Sequence, residues 1–213
     1  MLPPSLLRWT GWALAAGGAL TILINIGLAP LVLAHGRPLT ETAATTAFVW
    51  RQSLSALAAA LLLFGSIGLY LRQADRAGRF GALAFVMAFL GTSLLLAWEW
   101  IDIFILRDLA LRAPDALRML EESKGLHLYD LGAMIPVALF TLGWIVLAIS
   151  TFRVCQPLRR AAALVIAGFF AIPLLSAVLG PLWGGVLGNL VLGSGWIVLG
   201  SPTLPHSPAQ SKC

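Results

Sequence analysis

Five ionisable residues fall where the surrounding sequence is apolar: Arg51, Glu99, Asp102, His127 and Asp130. A charged group at membrane depth is costly unless it pairs, faces a polar cavity or serves a ligand. Glu99 and Asp102 are spaced i,i+3 and share a helix face, as His127 and Asp130 would on a helix that begins early enough. Three chemistries are open to this set. In the first, carboxylates walled by Trp50, Trp98 and Trp100 hold a small cation, a proton or an amine-bearing solute. In the second, His127 joins Glu99, Asp102 and Asp130 as a mixed nitrogen and oxygen set suited to zinc or manganese. No HExxH or similar pair of histidines supports that set, so no metal is assigned. In the third, the level is simply the outer membrane boundary, where Arg51 pairs with Glu99 or Asp102 and the tryptophans form an interfacial belt.

The elements that would position these residues follow from composition. Hydrophobic residues are 59% of the 213-residue chain and charged residues 11%, far below the roughly 25% charge of a soluble domain. Six apolar stretches approach the ~20 residues a helix needs to cross a bilayer. They are predicted at about 12–34, 53–71, 82–106, 131–151, 161–179 and 183–200. The first is too long for the core of a cleaved signal peptide. The runs are continuously apolar and do not alternate as the strands of an outer-membrane barrel would. The fold class is therefore all-α, a polytopic transmembrane helical bundle of about six spans.

Basic residues set the orientation. Arg8, then Arg72, Arg76 and Arg79, then Arg153, Arg159 and Arg160 alternate with connections that keep Arg37 and Arg51. The connection from Arg107 to Asp130 offsets its four bases with Asp108, Asp115, Glu121, Glu122 and Asp130 and is placed outside, which puts both the N-terminus and the C-terminus in the cytoplasm. Arg51 lies 21 residues before Arg72, Glu99 and Asp102 lie 20 and 23 after Arg79, and Asp130 lies 23 before Arg153. At ~1.5 Å per residue, these four share one outer level. The net charge of +5 reflects this topology. No nucleic-acid partner is expected, because no soluble face gathers the bases.

The connection from Arg107 to Asp130 is predicted to carry an outer amphipathic cap helix at about 114–124, begun by Pro114 and Asp115 and stopped by Gly125. Leu117, Met119 and Leu120 would lie on the bundle or membrane surface, and Arg118, Glu121, Glu122 and Lys124 would face water. Residues 201–213 are expected to form a disordered tail. Gly180, Gly184 and Gly188 recur every four residues and are assigned to close helix packing. Isolated polar residues within the spans, such as Asn25, Thr92, Ser93 and Asn189, are expected to bond between helices or back to a carbonyl. Cys155 and Cys213 lack the spacing of a metal site or disulfide framework and are read as incidental. No cofactor is assigned: no span holds a lysine for a retinal Schiff base or paired histidines for haem.

Residues 36–70, in which Thr40, Thr42, Thr45 and Thr46 precede Trp50 and Arg51 and a long apolar helix, resemble small bacterial six-span membrane proteins of a family of unknown function. The resemblance implies a bacterial inner-membrane location and carries over no catalytic residue. The residues themselves leave three functional classes open. The first is binding or transport of a small cation or solute in an outward-facing pocket. The second is a structural or accessory subunit that uses the glycine-rich hairpin. The third is an enzyme or sensor at the same carboxylates, for which no catalytic signature is present. The expected partners are the lipid bilayer, a small cation or solute, and a second copy of the chain.

Overall fold

The computed structural model describes residues 4–33, 38–123 and 128–201, and every regular element among them is a helix. They are α1 (Pro4–Leu23), α2 (Ala29–Leu33), α3 (Leu39–Ala43), α4 (Thr46–Ile101), α5 (Arg107–Arg112), α6 (Pro114–Glu122), α7 (Leu128–Val154), α8 (Arg159–Leu179) and α9 (Pro181–Gly200). Two π-helical turns, Ile24–Leu28 and Asp102–Leu106, join α1 to α2 and α4 to α5 without breaking the helical path. Among the described residues, five helices are long and apolar enough to cross a membrane: Ser5–Val32, Thr46–Arg112, Asp130–Val154, Gln156–Leu179 and Pro181–Gly200.

Five arise where six were expected because the predicted second and third spans form one element. The polar stretch between them, Arg72 to Phe80, consists mostly of good helix formers and stays helical except at Gly78, where φ 55° and ψ −150° open a turn reserved for glycine. Residues 52 and 102 would lie roughly 75 Å apart on a straight helix. Instead the Gln52 amide bonds the Asp102 carboxylate at 2.6 Å, and Tyr70 stacks on Phe85 with ring centroids 4.6 Å apart. The element is thus a hairpin whose arms, 46–77 and 79–101, run antiparallel.

Glycines set how closely the segments approach. The first arm meets α1 at Gly65 against Leu14 and Gly68 against Thr10. The second meets α7 backbone to backbone, with Gly91 on Leu139 and Phe140, and Gly143 on Met87 and Ala88. Within the α8–α9 hairpin, Gly184 lies on Ser176, Gly188 on Ile172 and Gly168 on Leu192. Gly180 is the turn of that hairpin at φ 85°, with open space around it, so its place is conformational, whereas Gly184 and Gly188 are at true close contacts. Gly18 and Gly193, and Gly11 and Gly200, bring α1 against α9. The segments therefore close a ring: α1, the two arms of α4, α7, α8, α9 and back to α1.

Inside the ring, Phe140, Trp144, Phe169 and Trp196 pack edge to face, with Trp144 and Trp196 centroids 5.3 Å apart. Quadrupolar ring edges meet ring faces in this arrangement. The Trp144 indole donates to Thr92 Oγ1 at 3.0 Å, and Thr92 donates to the Ala88 carbonyl at 2.6 Å. Asn25, Ser93 and Asn189 bond back to carbonyls four residues earlier. Cys155 is wholly buried in the same core; Cys213 lies outside the described residues.

The ring has two unlike ends. Arg72 Nη2 donates to the Leu7 carbonyl, Arg153 lies over the Phe80 ring and Arg159 donates to the Phe152 carbonyl, so the α1 start, the α4 turn and the α7–α8 turn share one end. This basic end holds Arg8, Arg72, Arg76, Arg79, Arg153, Arg159 and Arg160. The opposite end carries α3, α5 and α6 over a small second core of Val32, Phe48, Leu106, Ala110 and Leu117. Helix α6 begins at Pro114 as predicted and buries Leu117 completely, while Met119 is exposed. Glu121 is exposed, as expected, and it also caps α3, accepting from the Leu39 and Thr40 backbone nitrogens and from Thr40 Oγ1 at 2.8 Å.

Candidate functional site

The hairpin shape of α4 brings Arg51 and Gln52 at the head of one arm to Glu99 and Asp102 at the end of the other. Thr45 starts the first arm by accepting from the Phe48 nitrogen at 3.2 Å, a side-chain N-cap. The second arm reaches Asp102 at the first position of a π turn, a distortion frequent at functional sites. Asp102 is about 36 Å from Gly78 along the helix, which places the cluster at the end of the ring opposite the arginines.

A chain of bonds links the polar groups. Arg51 Nη1 donates to Gln52 Oε1 at 2.5 Å, and Gln52 Nε2 donates to Asp102 Oδ2 at 2.6 Å. Gln52 and Asp102 are 4% and 7% exposed, so this is an interior contact. Among the described residues the ion pairs are Arg112–Asp108 and Arg118–Asp115, both exposed on the cap, and Arg51 is within ion-pairing distance of neither Glu99 nor Asp102. The amide of Gln52 stands where the direct ion pair was expected. Glu99 lies three residues before Asp102 and shares its helix face.

Three buried polar atoms of this cluster have no hydrogen-bond partner: Arg51 Nε, Glu99 Oε2 and Asp102 Oδ1. Buried polar groups are nearly always satisfied, so three orphans in one place call for donors and acceptors from outside the chain, water or a solute. Two carboxyls against one guanidinium would favour a cationic or N–H-donating guest.

The remaining candidates are not all drawn in. Asp130 stands half-buried in the first turn of α7. His127 lies outside the described residues. Among those described, no group of three or more His, Cys, Asp or Glu side chains could hold a metal ion. Trp98 packs over Gly132 of α7. Trp50 and Trp100 are 59% and 55% exposed, with Trp100 stacked on Phe104 at 4.9 Å. Trp100 also lines an open apolar groove of about 360 Å³ between the arms, with Ala56, Leu57, Ala60 and Leu96.

Gln52 was the residue missed. It sits beside Arg51 in an apolar run, 20 residues before Arg72, and the same depth count that aligned Arg51 with Asp102 would have placed it there. An amide carries no charge, and so a search for ionisable groups passed over it. Compared with protein-family models, curated proteins and solved structures, the chain has no match, and its function is read from its own geometry.

Proposed function

We propose that the chain is an integral membrane protein that crosses the bilayer six times, with both arms of α4 spanning and the arginine-rich end in the cytoplasm, and that it binds a small cationic or amine-bearing solute at the Arg51, Gln52, Glu99 and Asp102 cluster. The lengths and apolar character of the helices support the membrane reading. Seven arginines at one end, against four described at the other where acids lie among them, support the orientation. The likeness of residues 36–70 to small bacterial six-span proteins supports a bacterial inner membrane. The observation that carries the binding reading is the pair of unpartnered buried oxygens, Glu99 Oε2 and Asp102 Oδ1, on carboxyls that no ion pair neutralises. A guest with a positive charge or N–H donors supplies what both lack, and release towards the outer face makes the site one for uptake, efflux or sensing.

A structural role for the same residues is favoured by one observation: the Arg51–Gln52–Asp102 chain ties the two arms of α4 together. Thermal unfolding of the purified full chain separates the two. The chain and its Glu99→Gln, Asp102→Asn and Arg51→Gln variants are titrated with sodium, potassium, magnesium, calcium, methylamine and ethanolamine. A binding site gives a midpoint that rises with one of these, by the linkage expected when a ligand binds only the folded state, and a tenfold or greater weakening in the Glu99 and Asp102 variants. If no solute shifts the midpoint and the three substitutions destabilise non-additively, the cluster is a clamp and the binding proposal fails.

A further inference from the structure

The basic end carries a second arrangement that the outer cluster does not explain. Arg153 places its guanidinium carbon 5.3 Å from the centroid of Phe80, and Arg159 places its own 5.6 Å from the centroid of Phe152. Phe152 and Arg153 are consecutive on α7, so the two contacts are carried by one helix end at directions about 100° apart around its axis. Phe80 and Phe152 are 42% and 43% exposed, and both arginines are exposed. Among the described residues, neither arginine pairs with a carboxylate, and Asp75 is the sole described acid between Arg72 and Arg79 or between Arg153 and Arg160.

A guanidinium drawn over a ring face by a cation–π contact keeps its N–H donors, which can grip a phosphate through two parallel hydrogen bonds. Arg159 is fixed further by its Nε bond to the Phe152 carbonyl at 3.0 Å, which leaves its terminal nitrogens for a guest. Both rings lie where a membrane helix ends in arginines, at headgroup depth on the orientation proposed above. We infer that the ledge formed by Phe80, Arg153, Phe152 and Arg159 is a binding site for the phosphodiester headgroup of an acidic phospholipid. The guanidiniums take the phosphate, and the exposed ring edges meet the first acyl carbons. The acidic headgroup is favoured over a zwitterionic one because the flanking Arg79 and Arg160 add positive charge, against which Asp75 is the one described acid nearby and makes no ion pair.

The test uses the full chain in a neutral detergent, with bound lipid counted by native mass spectrometry during titration with phosphatidylglycerol or phosphatidylcholine. Phosphatidylglycerol should bind about tenfold more tightly than phosphatidylcholine. Arg153→Gln with Arg159→Gln should erase that preference, and Arg153→Lys with Arg159→Lys, which keeps the charge but loses the fork, should lose most of it. Phe80→Leu with Phe152→Leu, with every charge retained, should weaken phosphatidylglycerol at least threefold. Arg8→Gln, the charge control, should change it less than twofold; Arg8 lies on α1, and all variants are first shown to keep the thermal midpoint within a few degrees of the native chain. The inference is overturned if the two lipids bind alike, if the Arg8 control costs as much as the ledge pair, or if the phenylalanine pair costs nothing, since diffuse charge then accounts for retention. It is also overturned if glycerol phosphate at equal concentration displaces the lipid, which would make the ledge a site for a soluble anion. None of these outcomes depends on the outer cluster, because the solute titration reads Glu99 and Asp102 alone.

Discussion

Thr92 shows how a single hydroxyl can hold a helical core in register. It accepts from the Trp144 indole while donating to Ala88, so it satisfies the one polar atom of the largest buried side chain on α7. Replacing it with valine keeps the shape and strands the indole N–H in an apolar interior, where lipid offers no substitute. The expected loss is about 1 kcal/mol, towards the upper range of single interhelical bonds measured in membranes, and Thr92→Ser should recover most of it. Reversible unfolding of the two variants in mixed micelles checks this, and equal stability of valine and native chains would mean that water already reaches the indole. Gln52 plays the related part at the end of the ring that carries α3, α5 and α6, where one amide accepts from Arg51 and donates to Asp102. Its importance was hidden in the sequence because an amide is common in membrane helices and acquires meaning only from the two groups it faces. The expected Arg51 ion pair was half legible: the depth count correctly brought Arg51 to the level of Glu99 and Asp102, but the amide that stands between them depends on side-chain direction.

At the scale of elements, glycine decides which helices touch. Between the second arm of α4 and α7, Gly91 and Gly143 let backbone meet backbone, and a Cβ at Gly143 would come within 2.5 Å of the Ala88 nitrogen. Backbone cannot yield as a flexible side chain would, so Gly91→Leu or Gly143→Leu must push the arm from α7 and break the Thr92–Trp144 bond. A cost of roughly 1–3 kcal/mol or more follows from overpacking. Gly185→Leu is the matched control, because nothing lies within 4 Å of its Cβ position, and its effect should stay within about 0.5 kcal/mol. Thermal midpoints of the three variants test the contrast; equal losses would show that helix propensity, rather than close approach, explains these glycines. The cap illustrates an element that was legible in outline. Pro114 and the amphipathic pattern located α6, and Leu117 was placed on its buried face. The seat of Glu121 on α3 was not legible, since α3 lies 82 residues away in sequence and meets α6 only after the hairpin folds.

For the molecule as a whole, the ring predicts a pattern of accessibility. If both arms of α4 cross the membrane, a cysteine placed at Arg79 reacts from the same side as one at Ser5 or Ser201, and a cysteine at Leu111 reacts from the other side. Labelling single cysteines introduced into a cysteine-free chain, with a membrane-impermeant maleimide in intact cells and in inverted vesicles, checks this. Arg79 and Leu111 on one side would remove the sixth crossing and with it the outward placement of Glu99 and Asp102. The all-helical, apolar character of the protein was determined by its sequence alone, because the cost of leaving backbone groups unbonded in lipid forces long apolar runs into helices whatever their neighbours are. The sequence also determined the two unlike ends, since arginines are placed by chain position, and the shared level of Arg51, Glu99 and Asp102, since rise per residue converts counting into depth. Only the tertiary structure decided that the second and third apolar runs are arms of one helix turned at Gly78, that Gln52 lies between Arg51 and Asp102, and that Trp50 and Trp100 are exposed. Those facts depend on the azimuth of each helix about its own axis. In a segment apolar on every side, the sequence pattern leaves that angle open, and the packing of glycine against backbone closes it.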